Sequence, residues 1–201
     1  MRQITPLDRL LLLATALLSA YQVVVGIEGL GTLAMASYTI AFGVLLVACL
    51  LLIILGFEVL DSPLVVIVST VIPLSLSLGL VAEYVPDLTN AYLTFTIIGF
   101  LAVVLTRFFT PGRPAVITLA TVHGISGLLI FFLPIILTLR EETIAGFLLV
   151  SLGGALIGIA GLLLAFLKTG KPILPRETIL AVLPLLLLLM TAAFVAGFAL
   201  V

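Results

Sequence analysis

Charge is scarce in this chain. Its 201 residues hold eight Lys and Arg against nine Asp and Glu, a formal net charge of −1, whereas soluble globular domains carry about a quarter charged residues. A basic stripe is the minimum for gripping phosphates, and none exists, so nucleic acid is excluded as a partner. Cysteine occurs once, at Cys49. That excludes an intramolecular disulfide and a thiolate metal cage, and leaves Cys49 as a small buried apolar residue. Histidine also occurs once, at His123. Bis-histidine haem ligation is therefore impossible, and His123 with Met35 or Met190 is a poor substitute. The only lysines, Lys168 and Lys171, lie in one polar stretch, so no lysine in the last apolar run can form a retinal-type Schiff base. There is no H-E-x-x-H, no G-x-S-x-G, no phosphate loop and no pair of acids inside an apolar run. The usual hydrolase and nucleotide sites are missing, and no cofactor is expected.

What the chain has in abundance is apolar side chains, at 64% of residues and a mean hydropathy of +1.52. That composition is expected of an integral membrane protein. The apolar residues fall into seven runs. They extend from Leu10 to Gly26, Leu33 to about Leu60, Leu64 to Ala82, Tyr92 to Phe109, Pro114 to Leu139, Thr143 to Phe166 and Thr178 to Val201. At about 1.5 Å of rise per residue, runs of this length reach across a hydrocarbon layer of about 30 Å. The runs are continuously apolar rather than alternating, which excludes a β-barrel. Arg2 and Arg9 precede the first run as in a signal peptide, but no small-residue cleavage pattern ends it, so it is read as an uncleaved span. The expectation is an all-α bundle of seven transmembrane helices, a single domain over residues 1–201 without a soluble domain, in the plasma (cytoplasmic) membrane.

Orientation follows from the basic residues. Seven spans place Arg2, Arg9, Arg107, Arg113, Lys168, Lys171 and Arg176 on one side and Arg140 alone on the other. The side rich in Lys and Arg is the cytoplasmic one, which puts the N-terminus in the cytoplasm and the C-terminus outside. The acids fall on both sides, Asp8, Glu58, Asp61 and Glu177 on the first and Glu28, Glu83, Asp87, Glu141 and Glu142 on the second.

Two patterns bear on packing and chemistry. Along the sixth run Ser151, Gly154, Gly158, Gly161 and Ala165 recur at three- and four-residue spacing. They form a face on which another backbone can approach closely, read as a contact inside the bundle rather than a homodimer seam. In the fifth run His123 shares a helical face with Ser126 and Pro134, and Pro134 frees the carbonyl of Ile130. In the third run Pro73 frees the carbonyl of Ser69, with Ser77 one turn on. Counted from the cytoplasmic ends, His123 lies at about 14 Å, Gln22 at about 19 Å and Ser69 to Ser77 at roughly 10 to 22 Å. Gln22, Ser69, Thr70, Ser77, Thr96, Ser126 and His123 are thus candidates for a polar cavity near the midplane, with His123 as proton carrier or ligand contact. The alternative, which is favoured, is that these groups bond one another and the kinked backbones.

Two functions remain open. One is a non-catalytic membrane protein, either an accessory or structural subunit of a membrane complex or an orphan bundle, with the bilayer and other membrane subunits as partners. The other is a small transporter or channel built around His123. An enzyme is the third reading, behind these two.

Overall fold

The computed structural model describes residues 3–27, 29–168 and 174–200, without the side chains of Ala165, Phe166 and Lys168. Arg2, Glu28 and Lys171 of the charge pattern, and Val201 at the end of the seventh run, lie outside the described residues. Within them the chain is all-helical. Seven helices are long and apolar enough to cross a membrane: α1 (Pro6–Val25), α2 (Thr32–Leu55), α3 (Pro63–Tyr84), α4 (Thr89–Phe109), α5 (Arg113–Leu139), α6 (Leu148–Lys168) and α7 (Arg176–Phe198).

The three boundaries that differ most from the apolar runs do so for local reasons. The first helix starts at Pro6 rather than Leu10. Thr5 Oγ1 accepts from the Asp8 amide and the Asp8 carboxylate accepts from the Thr5 amide, 3.2 and 2.8 Å, so the two residues satisfy each other's free groups. Pro6 takes the first helical position, where its missing N–H costs nothing. Next, α2 stops at Leu55 instead of continuing to Leu60. Gly56 adopts φ +74°, a conformation that disfavours side chains, and Phe57–Asp61 winds into a tight 3-10 turn that buries Phe57. Last, α6 begins at Leu148, after a 3-10 turn at Ala145–Phe147 whose buried Phe147 ring lies 5.2 Å from that of Tyr84.

Contacts between distant segments place the helix ends. The Glu83 carboxylate, at the end of α3, accepts from the Gly31 amide at the start of α2, 3.0 Å away. An anion there also meets the positive end of the α2 dipole. At the opposite end Arg176 donates to Asp61 at 2.9 Å, joining the start of α7 to the corner between α2 and α3. Both links need alternate crossings.

Six helices pack in the ring order α1, α2, α3, α5, α6, α7 and back to α1, while α4 lies outside the ring against α3 and α5. Accordingly α3 is the most buried span and α4 the least. In the middle, Ala41, Phe42 and Leu45 of α2, Ile72 and Leu76 of α3, and Met190 and Phe194 of α7 surround a gap with no room for a water molecule. Toward the Glu83 end, the Phe198 ring lies 4.6 Å from Tyr38 and 6.3 Å from Phe42, so aromatic packing closes the bundle there.

The small-residue face of α6 requires a correction. Ser151 and Gly154 are buried, and a Cβ on Gly154 would sit 2.9 Å from Ile130 Cγ2 and 3.2 Å from the Ile130 carbonyl carbon, so α5 and α6 touch there. Gly158 and Gly161 are exposed, and a Cβ on either meets nothing within 4 Å. The close contact made at Gly154 is therefore not repeated at Gly158 or Gly161; the Ala165 side chain is outside the described residues. The closest approach in the chain's last two helices was absent from the sequence reading. A Cβ on Gly197 would fall 2.9 Å from the backbone nitrogen of Val150, and one on Gly153 would fall 2.7 Å from the Phe194 ring. Ala193 and Gly197, four apart, were the available signal.

Candidate functional site

Helix packing divides the seven candidate residues into two groups. Gln22 is buried on α1, which packs against α2 and α7, whereas His123 is on α5, which packs against α3, α4 and α6. The depth argument made these two neighbours; the ring order separates them. The Gln22 side chain instead donates to the Gly26 carbonyl at 3.0 Å and closes the end of its own helix.

On α3 the hydroxyls turn inward on their own helix. Ser69 and Thr70 both donate to the Val66 carbonyl, at 3.0 and 2.8 Å. Ser77 donates to the Pro73 carbonyl at 2.6 Å. Such back-bonding satisfies a hydroxyl without a partner from another helix, the cheapest solution for a polar group that cannot reach water.

Among the described residues, the polar link between helices at this level uses Tyr92, which the sequence reading placed only as the start of the fourth run. Its hydroxyl donates to Ser77 Oγ of α3 at 2.8 Å, which leaves its oxygen able to accept from Ser126 of α5 at 3.4 Å. Ser77 and Ser126 are both fully buried. One tyrosine on the peripheral helix thus bridges two ring helices. The same α4–α5 interface is tight one turn beyond Thr96, where a Cβ on Gly99 would come within 3.2 Å of Val122. Between these contacts lies Thr96, whose hydroxyl is buried and has no hydrogen bond among the described residues.

His123 is half-buried beside this interface. Its Nδ1 lies 3.1 Å from the Leu119 carbonyl. A carbonyl can only accept, so the bond requires the proton on Nδ1 and leaves Nε2 as the acceptor nitrogen. No second side chain is bonded to the ring among the described residues. The structure therefore brings Ser77, Ser126 and Tyr92 together, sets Thr96 and His123 on their flank, and leaves Gln22, Ser69 and Thr70 out. No protein-family model, curated protein or solved structure matches this chain.

Proposed function

We propose that this chain is a seven-span protein of the plasma membrane, with its N-terminus in the cytoplasm and its C-terminus outside, that serves as an accessory or structural subunit of a membrane complex. The observation that carries this reading is the filled, apolar centre of the ring, where the gap among Phe42, Leu76 and Phe194 has no room for water. A path for a solute needs polar groups turned toward it. Here the hydroxyls of Ser69, Thr70 and Ser77 are bonded to their own helix.

The second reading, a small transporter or channel, is supported by the α3–α4–α5 interface. Tyr92, Ser77 and Ser126 form a hydroxyl chain next to the unbonded Thr96 and the free acceptor of His123. Reconstitution separates the two. Liposomes carrying the purified protein and a trapped pH-sensitive dye should equilibrate no faster than empty ones, and a stoichiometric membrane partner should accompany the native protein through purification. A proton or solute flux that His123→Leu or Tyr92→Phe abolishes would transfer the assignment to the transporter. Orientation is tested separately: a reporter fused after Val201 should be active only outside the cytoplasm.

A further inference from the structure

His123 leaves one ring nitrogen unused. With the proton of Nδ1 given to the Leu119 carbonyl at 3.1 Å, Nε2 is left with a free lone pair. Among the described residues, the buried side-chain nitrogens and oxygens without a hydrogen bond are Tyr38 Oη, Thr96 Oγ1 and Ser151 Oγ. Nε2 is not one of them, although no bond is made to it among these residues, so it opens on the protein surface. The surface beside it is low. Ala120 and Gly127, three residues before and four after, share its face of α5; Ala120 is exposed, and a Cβ on Gly127 would meet nothing within 4 Å.

Depth selects what can meet that nitrogen. The 27 residues of α5 make a helix of about 40 Å, which overhangs a hydrocarbon layer of about 30 Å by about 5 Å at each end. His123 lies about 14 Å along it, so Nε2 is roughly 9 Å inside the layer. An acceptor left bare there is costly. Glu83, in the last turn of α3, is the only acid on α3, α4, α5 and α6. A charged ring would have no counter-ion at this depth, and Nε2 acts as an acceptor. Phosphate and carboxylate groups only accept, so they offer it nothing. Ammonium groups donate, but their charge holds them at the interface. A bound water needs two or more polar partners, whereas Ser126, the polar neighbour on this face, is fully buried against Tyr92, and Thr96 Oγ1 is buried too. What remains is an uncharged O–H group carried by an apolar body.

We propose that His123 binds an uncharged lipid bearing a hydroxyl group, whose O–H donates to Nε2 and whose apolar body lies along α5 over Ala120 and Gly127. A chain can carry the hydroxyl, as in a diacylglycerol, or a ring, as in a quinol. The site rests on the membrane reading above and holds under either function proposed there. Because His123 is the only histidine, protein grown on nitrogen-labelled histidine gives one pair of imidazole signals in nuclear magnetic resonance, and the Nε2 signal moves to lower frequency when that nitrogen accepts a hydrogen bond. Protein stripped of lipid, in a detergent without hydroxyl groups, is titrated with dioctanoylglycerol, with a long-chain alkylphenol and with the methyl ether of that phenol. A hydroxyl compound should shift the Nε2 signal saturably, and the ether should leave it in place. A shift from the phenol alone assigns the ring-borne source, and one from the glyceride alone the chain-borne source. Gly127→Leu, whose side chain enters open space over the same face, should lose the shift; if that variant fails to fold, the ether still decides on the unaltered protein. An equal shift from ether and phenol, no shift from either hydroxyl compound, or an undiminished shift in folded Gly127→Leu overturns the site alone. So does an Nε2 signal already at its hydrogen-bonded position in the stripped protein, which puts water there. Recovery of the chain in the aqueous fraction without detergent overturns the membrane reading and the site together.

Discussion

The two halves of α6 carry similar small residues and meet different surroundings. In the first half, Gly153 faces the Phe194 ring of α7 and Gly154 the backbone of α5. In the second half, Gly158 and Gly161 face open space. Helix association in a lipid-like environment gains nothing from excluding water, so its drive is dispersion between surfaces that fit. A glycine contributes to that fit only where the neighbouring backbone arrives. Spacing alone identifies a surface that permits close approach, and the path of the partner helix decides whether the approach is made.

The comparison can be broken by filling each glycine in turn and recording thermal unfolding in one detergent. The largest loss should come from Gly197→Leu. The backbone of Val150 lies 2.9 Å from the position of its Cβ and cannot rotate away, so the change should cost about 3 kcal/mol or more, the upper end of overpacking. Gly154→Leu should follow at about 2 to 3 kcal/mol, since it drives α5 outward through Ile130 and Phe131. If either variant melts with the parent, the close contact between those helices is absent.

Tyr92→Phe sharpens the comparison at the outer helix. Removing the hydroxyl strands Ser126 but leaves Ser77 its bond to the Pro73 carbonyl. A loss of about 1 kcal/mol is expected, the net worth of one hydrogen bond, and Ser126→Ala in the Tyr92→Phe background should add little. A full additional loss on the second change would mean that the two side chains do not interact. The smallest effect belongs to Gly158→Leu, expected within about 0.5 kcal/mol of the parent. A loss matching that of Gly154→Leu would show that the second half of α6 is packed after all. The ion pair between Arg176 and Asp61, both side chains about half exposed, is worth no more than about 1 kcal/mol, and Asp61→Asn should test near that limit.

Much of the fold was legible because it is written in local terms. Seven apolar runs of spanning length, broken by clusters such as Asp61-Ser62-Pro63 and Thr110-Pro111-Gly112, define seven helices without reference to any neighbour. The start of α1 was legible too, since Thr5 and Asp8 stand three apart as a capping pair requires, and the apolar-run reading passed over it. Little of the candidate site was legible. Counting residues from the helix ends gives depth along an axis but not azimuth, so it set Gln22 beside His123 although α1 and α5 do not pack together. It also gave no reason to favour Tyr92, whose role comes from lying between α3 and α5.

By itself the sequence determined the helical class, the number of long apolar helices and the places where the chain turns, because backbone hydrogen bonding and hydrophobic length are properties of each segment alone. The tertiary structure decided the ring order, the exclusion of α4 from the ring, the hydroxyl bridge at Tyr92 and the fate of each glycine on α6. Those depend on which face of a helix meets which neighbour. In a chain where almost every face is apolar, hydrophobic periodicity carries too little contrast to say so.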